Sequence, residues 1–248
     1  MSKGKSTPVL FSIITLFPKM FKGPFADSIL KRAQEDELVT IDLYNLRDFA
    51  EGKHNITDDE PYGGGVGMVM KPEPMFKAVE TIKKEYYRSK KNEKMMTHVV
   101  LMTPKGRTYN YRITEKLADL DHLIILCGHY EGVDHRVFDE LADERLSIGD
   151  YILTGGEIPA MVVVDSVSRY IDGVLGKEQS LAKESFQFGK DNSLKYPVYT
   201  RPEEFEGHKV PDVLLSGNHK EIERWRKEAA HELTKESRPD LVGNPPLF

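Results

Sequence analysis

Short, almost wholly apolar runs alternate with helix-length amphipathic segments through residues 9–171, and that alternation leaves few folds open. Residues 9–15 (Val-Leu-Phe-Ser-Ile-Ile-Thr) show no solvent-facing period, as a strand covered on both faces requires. Helical spacing follows over 21–35 through Phe25, Ile29, Arg32 and Ala33, and 39–44 returns to strand. The pattern continues with a helix over 73–88, a strand over 98–102, a helix over 111–120 and a strand over 122–127. A helix over 133–142 and a short strand over 145–148 complete it. Strand and helix in alternation predict an α/β fold with a mainly parallel sheet covered on both sides.

The pattern changes after Gly156. A helix over 158–171 is followed by a polar, broken stretch over 173–195 that reads as a linker. Beyond it, Pro202, Pro211, Pro239, Pro245 and Pro246 punctuate a small helical region. Its clearest element spans 218–233, with Ile222, Trp225, Ala229 and Leu233 on one face, which makes Trp225 a core residue. The expected organisation is a domain over 1–172, a linker over 173–195 and a small, mainly helical domain over 196–248. A length of 248 residues accommodates two such units. Residues 45–70 lack periodicity and read as one long loop, a length that usually carries function.

The single cysteine, Cys127, excludes an intramolecular disulfide and a multi-cysteine zinc site. No apolar run approaches a membrane span. The nearest, over 9–17 behind Lys3 and Lys5, lacks a small-residue cleavage site and runs into Pro18-Lys19. A cytoplasmic location without membrane attachment is expected.

A net charge of −5 hides a division along the chain. Over 81–116, ten basic residues face three acidic ones, with Tyr86, Tyr87, Tyr109 and Tyr111 interleaved. Over 131–165, nine acidic residues face Arg136 and Arg145. The first composition suits a phosphate backbone and exposed bases, the second a cationic small molecule. By charge alone, solvated helix faces remain the simpler reading of both.

Several familiar signatures fail. Gly4-Lys5-Ser6 has neither the preceding strand nor the first glycine of a nucleotide-binding P-loop, and 63–67 lacks the Gly-x-Gly-x-x-Gly spacing. His129 and His135 have no third ligand at metal spacing, so they read as ordinary surface or core histidines. What remains is three glycine-rich turns after successive strands: 103–107 (Thr-Pro-Lys-Gly-Arg), 127–134 (Cys-Gly-His-Tyr-Glu-Gly-Val-Asp) and 147–157. Glycines at strand ends let backbone amides and carbonyls approach a ligand, and α/β ligands lie outside those carboxyl ends. Each turn taken singly is equally a tight connection of the kind any α/β protein needs.

Taken in order with the other short motifs, the turns resemble a family. Matching stretches begin with Ser12-Ile13-Ile14-Thr15-Leu16-Phe17-Pro18 and Pro61-Tyr62-Gly63-Gly64-Gly65-Val66-Gly67-Met68. They continue through 127–134, 147–160, Asp165-Ser166-Val167-Ser168-Arg169 and Gly173-Val174-Leu175-Gly176. Tyr199-Thr200-Arg201-Pro202 and 211–219 complete the series. The sequence resembles the bacterial tRNA (guanine-N1)-methyltransferases of the TrmD family, in the SPOUT class. The resemblance implies a SPOUT-type parallel sheet with a deep trefoil knot in the C-terminal half of that domain, working as a homodimer. Periodicity does not announce a knot, since knots are nearly absent from proteins.

The resemblance further implies methyl transfer from S-adenosylmethionine to N1 of the guanine just 3′ of the anticodon, position 37 of tRNA. Carried over residue by residue, the methyl donor should contact Leu101, Thr103, Pro104, Gly128, Tyr130, Glu131 and Ser147. It should also contact Ile148, Gly149, Tyr151, Leu153, Gly155, Gly156 and Pro159. Guanine N1 bears a proton that a positioned carboxylate must remove, and the negative charge developing on O6 calls for a fixed cation. The family's arginine falls on Arg169. Its aspartate slot, before Ser-Phe, holds Glu184, one methylene longer, with Asp191 and Asp165 as alternative carboxylates. Asp172 replaces the usual proline before Gly-Val-Leu-Gly, and 189–195 is longer than usual. Arg201, His219, Arg224 and Arg226 are expected to grip the tRNA anticodon stem-loop. Magnesium belongs to the family's reaction, and no residue of this sequence is identified as its ligand. Two other readings are a SPOUT enzyme acting on another RNA atom, such as a ribose 2′-hydroxyl, and a non-catalytic RNA-binding protein that keeps the fold.

Overall fold

The computed structural model describes residues 8–89, 96–175, 184–186, 188 and 193–242. Gly4 to Ser6, Lys90, Lys91, Lys94, Asp191, Pro245 and Pro246 lie outside the described residues, as does most of the expected linker. The chain divides into two compact units, Met1–Gly176 and Lys177–Phe248.

The first unit is built on strands β1 (Val9–Thr15), β2 (Val39–Asn45), β5 (Thr97–Thr108), β6 (His122–Cys127) and β7 (Glu144–Ser147). All pair in parallel, in the order β2-β1-β6-β5-β7. Side chains alternate across the sheet. Phe11, Ile13, Val100, Met102, Leu123 and Ile125 point to one face. Ile14, Val99, Leu101, Ile124 and Leu126 point to the other. The first face is covered by α1 (Ser28–Glu35), α3 (Tyr111–Ala118) and α4 (Glu157–Ser168), through Leu30, Ala33, Ile113, Leu117, Ala160, Val163 and Val167. The second is covered by α2 (Pro72–Ser89) through Met75, Ala78, Val79 and Ile82. Two buried faces explain why these strands read as continuous apolar runs.

Three elements depart from the sequence expectations. The helix expected over 21–35 begins only at Ser28, behind a 3-10 turn over Pro18–Phe21; Asp27 accepts from the Ser28 N–H at its start. The helix expected over 133–142 contracts to a π-helical turn, Val137–Leu141. The turn expected after residue 102 lies inside β5: Met102 and Arg107 both pair with Leu146, so residues 103–106 loop out of the strand. The long loop over 45–70 contains a minimal hairpin of β3 (Asp58–Asp59) and β4 (Val69–Met70).

The second unit holds a short hairpin, β8 (Glu204–Phe205) with β9 (His208–Lys209), then α5 (Asp212–Leu215) and α6 (His219–Ser237). Asn218 caps α6 by accepting from the Glu221 N–H. Ile222, Ala230 and Thr234 are buried, while Trp225 is half-buried, its ring centroid 6.4 Å from that of Tyr199. No helix among the described residues is long and apolar enough to cross a membrane.

The core includes a titratable group. His122, at the start of β6, is fully buried, with Nε2 2.9 Å from Ser12 Oγ and its ring 4.2 Å from Tyr86. Burial, with the Lys83 charge adding to it, pulls its pKa down to about 4. The folded protein therefore binds fewer protons than the unfolded chain between that value and the ordinary histidine value. Stability held at neutral pH is lost as pH falls from about 6.5 towards 4, by at most ~3 kcal/mol from this group. Urea denaturation across that range should show the loss, and the His122→Gln variant should flatten it.

Candidate active site

A cavity of about 350 Å³ opens beyond the carboxyl ends of β6 and β7, beside the looped-out part of β5. Open α/β sheets place ligands at such an edge. Leu101 and Met102 line its β5 side, with Thr103, Pro104 and Lys105 from the looped-out segment. The turn after β6 contributes residues 128–133, and the segment after β7 contributes 147–149 and 151–156, with Pro159 from α4. All fourteen residues that the resemblance assigns to a methyl donor line this one cavity.

Backbone geometry sets its walls. The Gly156 N–H donates to the Gly128 carbonyl at 2.8 Å, joining the second turn to the third. A Cβ on Gly156 would lie 2.7 Å from Cys127 Cα, and one on Gly106 would lie 2.5 Å from the carbonyl carbon of Arg145. At Gly149, φ is +152° and a Cβ would meet the Tyr151 ring at 2.5 Å. Ser147 Oγ donates to the Gly149 carbonyl at 3.0 Å and Tyr151 N–H donates to the same oxygen at 3.0 Å. Tyr130 holds φ at +59°, a left-handed conformation that costs a bulky residue about 1–3 kcal/mol and that clusters at functional sites.

The β3–β4 hairpin is tied by backbone hydrogen bonds to the turn after β6. Glu131 N–H donates to the Met68 carbonyl at 3.0 Å, Met70 N–H to the Gly132 carbonyl at 3.0 Å, and Asp134 N–H to the Met70 carbonyl at 2.9 Å. Apolar Leu101, Pro104, Ile148, Leu153 and Pro159 line the cavity beside the glycine-rich turns, a mixed lining that suits a small ligand. Burial, with the Glu157 carboxylate adding to it, pushes the Cys127 thiol up, so it remains protonated and unreactive.

Charge is distributed differently from its order in the sequence. The described residues of the basic stretch divide among α2 and α3, which cover opposite faces of the sheet, and β5, which carries Lys105 and Arg107. Most acids of the 131–165 stretch are engaged locally. Asp134 pairs with Arg136 at 2.8 Å, and that bond holds the carboxyl below its usual range. Asp143 accepts from the Val99 N–H at 2.8 Å. Glu144 pairs with Arg107 at 2.6 Å, and its carboxyl is lowered by His98 first and then by Arg107. Of the nine acids, only Glu131 lines the cavity.

Arg169 stands half-buried immediately after α4, where a cation also favours the helix C-terminus. Glu184 belongs to the second unit and is half-buried. Within that unit, Arg201 and His219 are exposed. Arg224 pairs with Glu221, and Arg226 pairs with Glu223 at 2.6 Å and lies 4.9 Å over the Tyr196 ring. Among the described residues no group of three His, Cys, Asp or Glu side chains could hold a metal ion, so no step is assigned to magnesium.

The profile of the tRNA (guanine-1)-methyltransferase TrmD family matches residues 9–244. The chain belongs to the TrmD family. It is 56% identical over 230 residues to a tRNA (guanine-N(1)-)-methyltransferase of Dictyoglomus turgidum, covering 93% of this chain and 88% of that protein. A protein of the same name from Geotalea uraniireducens is 52% identical over 232 residues, covering 94% and 90%. Another, from Alkaliphilus oremlandii, is 49% identical over 234 residues, covering 94% and 92%.

The TrmD-type cavity also includes residues that sequence reasoning left out, chiefly His129, Lys105, Phe138 and Thr154. Their signal in the sequence is position inside or beside the three turns; His129 has no metal spacing to mark it. The close glycine contacts carry a direct test. Replacing Gly156 with alanine should destabilise the fold by about 1–3 kcal/mol, because backbone rather than a flexible side chain must yield. Gly23→Ala, in open space, should change little. Chemical denaturation of both variants distinguishes them.

Proposed function

We propose that this TrmD-family chain transfers a methyl group from S-adenosylmethionine to N1 of the guanine just 3′ of the tRNA anticodon. The observation that carries the reading is the convergence of all fourteen expected donor residues on one cavity at the carboxyl edge of the sheet. The names of the relatives support the same chemistry. When bound, the donor presents a sulfonium-activated methyl carbon, so the chain's own task is alignment and proton removal.

Glu184 takes the guanine N1 proton as general base, freeing the nitrogen's electron pair for the new bond to carbon. Arg169 faces the negative charge that grows on O6, a role suited to a guanidinium that keeps its proton. The methyl–sulfur bond breaks as the N–C bond forms, and its electron pair stays on the departing thioether. Glu184 in the place of the family's aspartate keeps the carboxylate and extends it by one methylene.

The SPOUT trefoil knot belongs to this reading. It is supported by the close passage of Gly156 over Cys127, where the segment after β7 meets the end of β6. A homodimer is supported by exposed Ile158 and Val162 on α4. Residues 1–172 hold the donor, 173–195 link, and 196–248 engage the anticodon stem-loop through Arg201, His219, Arg224 and Arg226. RNA-reading modules favour such unstacked loops, and the target base is extruded to reach the donor. A tRNA substrate places the protein in the cytoplasm.

The test uses two unmodified tRNA transcripts that differ only in guanine or adenine just 3′ of the anticodon, incubated with protein, S-adenosylmethionine and magnesium. Mass spectrometry of digested nucleosides should find N1-methylguanosine from the first alone; a methylated ribose instead would overturn the assignment. Glu184→Gln should cut turnover by about 10²-fold or more while leaving donor affinity unchanged. Arg169→Ala should cost a similar factor in kcat. Undiminished turnover in Glu184→Gln would move the base to Asp165 or Asp191.

A further inference from the structure

Thr15 at the end of β1, His129 in the turn after β6 and Glu157 at the start of α4 form a contact that the proposed chemistry does not use. Glu157 is 1% exposed. Its Oε1 accepts from Thr15 Oγ1 at 2.6 Å, and its Oε2 lies 2.8 Å from His129 Nε2. The Thr15 hydroxyl oxygen in turn accepts from the Phe17 N–H at 2.8 Å, which leaves the hydroxyl hydrogen for the carboxylate. The Phe17 ring packs 4.7 Å from the imidazole, and the His129 backbone N–H donates to Met70 Sδ at 3.0 Å. The imidazole is therefore held by Glu157 and Phe17, and the backbone that carries it by Met70. A side chain at Gly155 would collide with both partners, 2.1 Å from His129 Nε2 and 2.5 Å from Glu157 Oε2.

His129 and Gly155 both line the cavity and are joined by a backbone bridge. We infer that His129 and Glu157 are positioning residues: a histidine–carboxylate latch, anchored by Thr15, that holds two walls of the cavity at the spacing the ligand needs. The latch rests on the methyl-donor reading for the identity of that ligand. It acts through the turns and touches no reacting atom. With Thr15 donating to one carboxylate oxygen, His129 donates from Nε2 to the other, so Nε2 carries the proton in the free protein. Exchanging an imidazole for an amide keeps this only when the amide nitrogen reaches the Nε2 position, as glutamine does and asparagine does not.

The experiment compares wild type, His129→Gln and His129→Asn by calorimetric titration with S-adenosylmethionine and, separately, with the uncharged product S-adenosylhomocysteine. Both ligands should bind His129→Asn about tenfold or more weakly, the scale on which small misplacements of a site act. His129→Gln should stay within about threefold of wild type. Long-range 15N spectra of histidine-labelled free protein should show the His129 proton on Nε2. Equal affinity of the asparagine and wild-type proteins, no recovery with glutamine, or a proton confined to Nδ1 would each overturn the latch. Should His129→Asn fail to fold, the glutamine variant and the tautomer decide the matter. A wild-type protein that binds neither ligand would instead overturn the donor reading, and the latch's role in ligand binding with it. Equal weakening of the two ligands is expected because the latch sets a spacing; loss of the sulfonium ligand alone would overturn that role in favour of a charge effect.

Discussion

The close passage of residues 155–156 over the end of β6 is the contact on which the rest of the site depends. A hydrogen bond of 2.8 Å from the Gly156 N–H to the Gly128 carbonyl joins two backbones, and no Cβ fits at Gly156. Interiors transmit strain because they are close-packed, so a displacement there is felt across the cavity. The chain meets this constraint by placing glycine at position 156 and starting α4 immediately afterwards. Val163, Val164 and Val167 then anchor α4 in the core beneath. The cavity is in this sense the upper rim of the hydrophobic core, with its walls fixed from below.

That arrangement divides labour between burial and backbone polarity. Strands β5 and β6, covered on both faces, supply rigidity at the cavity floor through Leu101 and Met102. The turns above them supply amides, carbonyls and the left-handed conformation of Tyr130. Precision is greatest where functional segments stand on regular elements whose own positions are locked by packing. The buried Glu157 extends the same logic to side chains: a polar group inside the core is tolerated because each carboxylate oxygen has a partner.

Much of the first unit was legible in the sequence. β1 and β6 match their expected bounds, because strands buried on both faces carry an unmistakable apolar run. The helix expected from Phe21 failed for a physical reason. Phe21 and Phe25 do face the core, with centroids 5.4 Å apart, but they do so from a 3-10 turn and a loop rather than from a continuous helix. Similarly, residues 103–107 were read as the connection after a strand, whereas β5 resumes beyond them and pairs again with Leu146. Local patterning cannot register a strand that leaves its ladder and returns. The simpler reading of the basic stretch, as solvated faces, agrees with the structure: residues contiguous in sequence are divided among α2, β5 and α3.

The sequence by itself determined the α/β class, the two buried faces of the sheet and the three glycine turns, because apolar periodicity and glycine content are local properties. It also carried the motifs by which the family is identified. Only the tertiary structure decided which turns meet and which histidine meets which carboxylate. Thr15 and Glu157 are 142 residues apart, and His129 and Glu157 are 28 apart. Contacts at such separations depend on the strand order β2-β1-β6-β5-β7, which brings the ends of β1 and β6 side by side. No spacing along the chain encodes that order, since it is set by how the covered faces close on one another.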